Sequence, residues 1–158
     1  MNRTIEIAAL GMSVLVCFAA AGVGGAFTAS SVGTRYAELR KPPWNPPNWI
    51  FGPVWTALYL SMAVAAWLVW RRAGWPGAAT ALGLFALQLA LNVAWSGLFF
   101  GLRSPGAAFV GIIGLWVSIL AALVAFWRVA PAAGLLMVPY LAWVTFASAL
   151  NLAIWRLN

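Results

Sequence analysis

Histidine is absent from the 158-residue chain, cysteine occurs once, at Cys17, and acidic side chains occur twice, at Glu6 and Glu38. Without histidine and with a single thiol, neither a zinc site nor a His-ligated haem can be assembled from side chains, and an internal disulfide is excluded; no metal site and no required cofactor are expected. Both carboxylates stand outside the long uncharged runs described below, so the interior offers no candidate for ordinary acid–base catalysis. If the protein carries out chemistry, a ligand must bring most of it.

Charge of either sign is scarce, while 65% of the residues are hydrophobic, far from the composition of a water-soluble domain. The charges are Arg3, Glu6, Arg35, Glu38, Arg40, Lys41, Arg71, Arg72, Arg103, Arg128 and Arg156. Between them lie five uncharged runs, Ile7 to Thr34, Pro42 to Trp70, Ala73 to Leu102, Ser104 to Trp127 and Val129 to Trp155. Each exceeds the ~20 residues needed to cross ~30 Å of hydrocarbon. The chain therefore reads as an all-α integral membrane protein, a five-transmembrane-helix bundle in one domain, residues 1–158. Helices are expected at about 5–29, 48–70, 76–101, 105–127 and 131–155, with a loop over 30–47. The first uncharged run is much longer than the ~7–15 apolar residues of a signal peptide and no A-x-A site closes it, so the first helix is expected to be retained.

A net charge of +7 would suggest nucleic acid if it were clustered, but these cations punctuate the ends of apolar runs, where they reach the lipid headgroups; no nucleic-acid partner is expected. Four cations fall on the side of the N-terminus and five on the other, which leaves the positive-inside rule without a preference. The last three connections are short, so successive helices are antiparallel neighbours. Only the first loop has room for function.

That loop runs into KPPWNPPNWIFGPVW, Lys41 to Trp55. Pro42-Pro43 and Pro46-Pro47 favour extended backbone, Asn45 or Asn48 is placed to cap the next helix, and Pro53 removes a hydrogen bond to the carbonyl of Trp49, which predicts a kink. Trp67, Trp70, Trp75, Trp127 and Trp155 stand near span ends, where interfacial anchoring accounts for them. Trp116 reads as core or lipid contact, and Pro139 and Tyr140 as packing.

Other aromatics share a face with polar groups. Gln88, Asn92, Trp95, Ser96 and Phe99 fall on one side of the third helix, Trp143, Ala147, Leu150 and Asn151 on one side of the fifth, and Trp55, Tyr59 and Met62 on one side of the second. Counting turns from the span ends puts Trp55, Asn92, Trp95 and Asn151 in the half of the membrane beneath the first loop. The loop's prolines and Trp44 would then form a stiff lid over an aromatic cavity suited to a large flat apolar ligand with polar edges. Alternatively, Gln88, Asn92 and Asn151 simply hydrogen-bond between helices, at ~0.6 kcal/mol each on average.

WNPP at Trp44 to Pro47, FGPVWTALY at Phe51 to Tyr59, LQLALNVAWSGLFF at Leu87 to Phe100 and PYLAWVTFASALNLAIW at Pro139 to Trp155 resemble the tryptophan-rich sensory protein and translocator protein family, also called peripheral benzodiazepine receptors. The resemblance covers the second to fifth helices. It implies a usually dimeric five-helix bundle that binds porphyrins such as protoporphyrin IX and, in some members, cholesterol and synthetic benzodiazepine-type ligands. It also implies light-dependent porphyrin breakdown, with the tryptophans involved corresponding to Trp55 and Trp143, and a pocket shared by Ala147, Leu150 and Asn151. The cholesterol motif is incomplete, because LNLAIWR has Leu152 and Ala153 where aromatic residues are expected, although Val32, Tyr36 and Arg40 satisfy the same loose pattern. Cholesterol is therefore not expected as the natural ligand, and a bacterial membrane is favoured over the mitochondrial outer membrane.

Three functions remain: a membrane tetrapyrrole-binding protein with a regulatory, sensory or photodegradative role, a transporter of porphyrins or other apolar ligands, and a ligand-free scaffold subunit. Transport is disfavoured by the lack of ionisable residues within the spans. The candidate catalytic residues are Trp55 and Trp143. The candidate ligand-binding residues are Trp44, Tyr59, Gln88, Asn92, Trp95, Ser96, Ala147, Leu150 and Asn151. Membrane lipid is an expected partner. Small residues at Ala79, Gly83, Ala86, Ala90, Ala94, Gly97 and Gly101, with a G-x-x-x-G pair at the last two, predict a homodimer interface on the third helix.

Overall fold

The structure, a computed structural model, describes residues 2–158. Helix α1 spans Arg3–Val32, a short α2 spans Arg35–Glu38, α3 spans Asn48–Ser96 and continues into a π-helical turn at Gly97–Gly101, α4 spans Pro105–Val129 and α5 spans Pro131–Leu157. No strand occurs among the described residues. At ~1.5 Å per residue the 54 residues from Asn48 to Gly101 would measure ~80 Å if straight, far more than one bilayer. They fold back instead. Tyr59 and Asn92, 33 residues apart, are hydrogen-bonded at 3.3 Å, so the two arms of α3 run antiparallel side by side. With α1, α4 and α5, the arms make the five spans expected of a multi-pass membrane bundle.

The reversal is made by one residue. Gly74, at φ 62° and ψ −177°, is the sole non-helical position inside α3, in a region that essentially only glycine occupies. Pro76 then stands at the start of the second arm, where its missing N–H is harmless. Pro53 also lies within α3, yet the dihedrals around it stay helical, so the break in this segment belongs to Gly74 and not to the expected kink. Neither expected asparagine cap forms: Pro47 precedes the helix, and no side chain caps it. Asn45 is engaged in the loop, where its side chain accepts from the Tyr36 hydroxyl at 3.1 Å.

At the end opposite the first loop, α1 is tied to the first arm of α3. The Trp67 indole donates to the carbonyl of Glu6 at 3.0 Å, Ser13 donates to the carbonyl of Ala63 at 2.7 Å, and Glu6 pairs with Arg71 at 3.4 Å. The α4–α5 hairpin closes tightly, because a Cβ on Gly134 would come within 2.9 Å of the Trp127 backbone; only glycine permits that approach. The core running between these helices includes Met62, Phe85, Ile119, Phe126 and Tyr140. The G-x-x-x-G pair is occupied within the chain, since the Phe27 ring of α1 lies 3.7 Å from where a Cβ on Gly97 would stand and 3.1 Å from that on Gly101. Ala79, Gly83, Ala86, Ala90 and Ala94 remain exposed on the second arm.

The loop is shorter and more ordered than its composition suggests. α1 runs to Val32, α2 takes four residues, and the remainder is pinned at several points. Lys41 donates to the carbonyls of Ala37 and Leu39 and sits 4.7 Å from the centre of the Tyr36 ring. The backbone of Arg40 exchanges two hydrogen bonds of 3.0 Å with the side chain of Asn158, which clasps the loop to the end of α5. Burial raises the Tyr36 phenol above its ordinary pKa, against a smaller opposing effect of its bond to Asn45, and the ring faces inward.

Candidate functional site

Beneath this loop lies a cavity of about 600 Å³, within the ~300–1,000 Å³ range of small-molecule sites. Three tryptophans wall it: Trp55 from the first arm of α3, Trp95 from the second arm and Trp143 from α5. Each is held edgewise or tilted against another ring, Trp55 against Tyr59 at 5.7 Å, Trp95 against Phe99 at 5.9 Å and Trp143 against Phe51 at 5.9 Å. Such contacts fix the rings, so a flat ligand meets preset faces. All of the residues singled out from the sequence line this cavity except Trp44 and Gln88.

Those two lie elsewhere for identifiable reasons. Trp44 packs edge-on to Phe146 at 5.8 Å, is 47% exposed and does not line the cavity. Gln88 is fully buried one turn below the cavity, where it accepts from the Tyr140 hydroxyl at 2.8 Å and points its amide nitrogen at the sulfur of Met62 at 3.7 Å. Tyr140, read from sequence as packing, is itself fully buried and links this network to the site: Asn92 donates to its oxygen at 2.7 Å while accepting from Tyr59 at 3.3 Å. Leaving one such buried partner unsatisfied typically costs about 1–3 kcal/mol, so the chain forms a firm floor. Trp116 takes no part; its indole donates to Thr145 at 2.8 Å between α4 and α5.

The amides are therefore mostly spoken for. Asn151 accepts from the Trp95 indole at 3.1 Å and donates to the carbonyl of Pro105 at 2.8 Å, which orients Trp95 and anchors the start of α4. Ser96, buried at the α1 contact, has no hydrogen-bond partner from its hydroxyl among the described residues and is a free polar group in the wall, as is the Asn48 amide at the start of α3. The site is thus an apolar, aromatic enclosure with a fixed polar floor.

Several lining residues lay beyond the reach of the sequence reading. α1 contributes Phe18, Gly22, Gly25 and Thr28. Gly24 meets Ser96, with its would-be Cβ 3.3 Å from the Ser96 oxygen, whereas Gly22 and Gly25 have no other atom within 4 Å of that position. Gly22, Gly25 and Ala29 of α1 and Gly52 and Thr56 of the first arm are exposed as well as cavity-lining, so the mouth opens between these two helices, toward the bilayer. Tyr36, Phe99 and Phe100 close the wall under the loop. The π-helical turn carries both phenylalanines, whose centroids are 4.8 Å apart. A π-turn shifts the phase of the residues after it, and such turns recur at functional sites.

The profile of the TspO/MBR family matches residues 13–156. The chain belongs to this family. It is 44% identical over 160 residues to the tryptophan-rich protein TspO of Chlorobaculum tepidum, with 100% of this chain and 99% of that protein covered. It is 42% identical over 154 residues to the tryptophan-rich protein TspO of Archaeoglobus fulgidus, covering 98% of this chain and 99% of the relative. The human translocator protein is 42% identical over 146 residues, 91% of this chain and 84% of its own length. The TspO/MBR match includes the last two thirds of α1, the helix whose motifs said least. It also includes the whole cavity, whose lining runs from Phe18 to Ile154.

Proposed function

We propose that this TspO/MBR chain binds a flat tetrapyrrole, protoporphyrin IX or a close relative, in the cavity between Trp55, Trp95 and Trp143, and that binding serves a regulatory or sensory role in a bacterial membrane. The observation that carries the reading is an enclosure of about 600 Å³ with three preset indole faces and a hydrogen-bonded floor. Rigid rings on both sides lose little entropy on stacking. Trp55 and Trp143 would also each be placed to give an electron to the photo-excited macrocycle; dioxygen then adds to the reduced ring and takes up the proton lost by the oxidised indole, so light-dependent breakdown of the ligand consumes dioxygen and leaves a one-electron-oxidised tryptophan. The mouth between α1 and the first arm supports a second reading, exchange of apolar ligands with the bilayer, in which the same site serves as a carrier station.

Titration with protoporphyrin IX in the dark, read by its Soret absorbance as well as by tryptophan quenching, tests the binding. Trp55→Phe and Trp143→Phe should each weaken it about two- to tenfold, the range of an aromatic contact of ~0.5–1.5 kcal/mol. Illumination should then bleach the bound porphyrin more slowly in the variants. Absence of saturable binding by the folded protein would sink the tetrapyrrole reading.

We further infer a homodimer through the exposed small residues of the second arm of α3, Ala79, Gly83, Ala86, Ala90 and Ala94. An Ala86→Cys variant should crosslink to a second copy in membranes under mild oxidation, whereas buried Cys17 should not. A monomer-only pattern would remove this interface.

A further inference from the structure

A second cavity, about 480 Å³, lies at the loop end of the bundle, behind the wall of Tyr36, Phe99 and Phe100 that it shares with the first. Its chemistry is different. Arg35 of α2 and Arg103, in the turn before α4, both line it, together with Ser31, Ser104, Leu39 and Trp155. No acidic side chain lines it, and among the described residues neither arginine forms an ion pair; Glu38, three residues from Arg35 on the same short helix, does not bridge to it. Ser31 is only 7% exposed and its hydroxyl has no hydrogen-bond partner among the described residues, so an accessible hydroxyl on a largely buried residue is free in the cavity wall. The Trp155 ring packs against Gly106, whose would-be Cβ is 2.9 Å from the indole nitrogen, leaving an apolar flank beside the cations.

Arg103 has the left-handed backbone of a glycine, φ 58°, the sole non-glycine residue with positive φ among those described. The rest of the fold holds an arginine in a conformation that a residue without Cβ would adopt more easily. Cavities between helix ends that carry cations and an aromatic edge match the chemistry of an anionic lipid head, a phosphate diester held by guanidinium groups with its acyl chains along the apolar flank. Apart from the shared wall of Tyr36, Phe99 and Phe100, no residue that lines this second cavity lines the first.

We propose that Arg35, Arg103 and Ser31 form a site for the phosphate headgroup of an anionic membrane lipid. The site is independent of the tetrapyrrole reading, and either can fail without the other.

The test uses the full chain in detergent, mixed with equal amounts of phosphatidylglycerol and phosphatidylcholine and read by native mass spectrometry. The wild-type protein should retain phosphatidylglycerol preferentially. Arg35→Gln and Arg103→Gly should each reduce that retention about fivefold, the effect expected of one cation near a membrane surface. Arg103→Gly separates binding from folding, because glycine suits φ 58°: its thermal midpoint should equal or exceed the wild-type value while lipid retention falls. Protoporphyrin binding should be unchanged in both variants. Equal retention of the two lipids by the wild type, or undiminished preference in both variants, would overturn the site. Displacement of phosphatidylglycerol by an equal concentration of inorganic phosphate would overturn the lipid as its occupant and leave a free-anion site.

Discussion

Gly25→Leu is expected to lower the affinity for protoporphyrin IX at least about tenfold, an effect of ~1.4 kcal/mol, without lowering the thermal midpoint. Gly25 lines the first cavity from α1, and no atom other than its immediate helical surroundings lies within 4 Å of the position a Cβ would take. The β-carbon of a leucine there meets no neighbour, and the residue improves the helix locally, by the ~0.5–1 kcal/mol that separates glycine from a good helix former. Because Gly25 lines the cavity at its mouth, the added side chain is expected to take up space that a ligand would fill. Gly11→Leu is the matched control, on the same helix, equally unobstructed and outside the cavity. Affinity untouched in Gly25→Leu, or lost equally in Gly11→Leu, would show that the ligand does not occupy this enclosure.

The second large effect concerns the fold. Gly74→Ala should destabilise the protein by about 1–3 kcal/mol, the usual strain of a side chain forced into a glycine-only backbone region. That is a large share of a typical stability of ~5–15 kcal/mol. The site feels the change too, because the reversal at Gly74 sets the register between the two arms of α3. That register brings Tyr59 to Asn92 and Met62 to Gln88. A thermal melt followed by circular dichroism, with Gly114→Ala alongside, separates this from any general effect of removing a glycine. Gly114 lies in α4 with open space around it, so its alanine variant should be neutral or stabilised. Equal midpoints for Gly74→Ala and the wild type would mean that the arms can reverse by another route.

Much of this architecture was legible because a bilayer reduces the problem to counting. Charges interrupt the apolar runs at the ends of the spans, and helical phase then brings Trp55, Trp95, Asn92 and Asn151 to one enclosure. Gln88 shares their face but lies a turn deeper, a distance that phase alone cannot register. Trp44 does not line the cavity, and prolines define the stiffness of a segment but not the direction in which its side chains turn. α1 stayed silent for a different reason: its glycines carry the same letter whether they touch a neighbour, as Gly24 does, or leave a void, as Gly22 and Gly25 do. The π-turn was hidden in the same way. Gly97 and Gly101 read as a dimer motif, whereas Phe27 of the same chain covers both.

The chain of bonds from Tyr59 through Asn92 and Tyr140 to Gln88 runs in one sense, each group donating to the next. Reversing one member would require reversing its neighbours, so the bonds behave as a single locked piece across both arms of α3 and α5. The enclosure is in effect a cup with a depth stop. Guests of different thickness or substitution cannot be accommodated by sinking further; they must be accommodated upward, by displacing Tyr36 and the loop clasped to Asn158, or sideways past the glycines of α1. Size selectivity in this protein is consequently set at the rim, and the rim is also the part that faces the world outside the bundle.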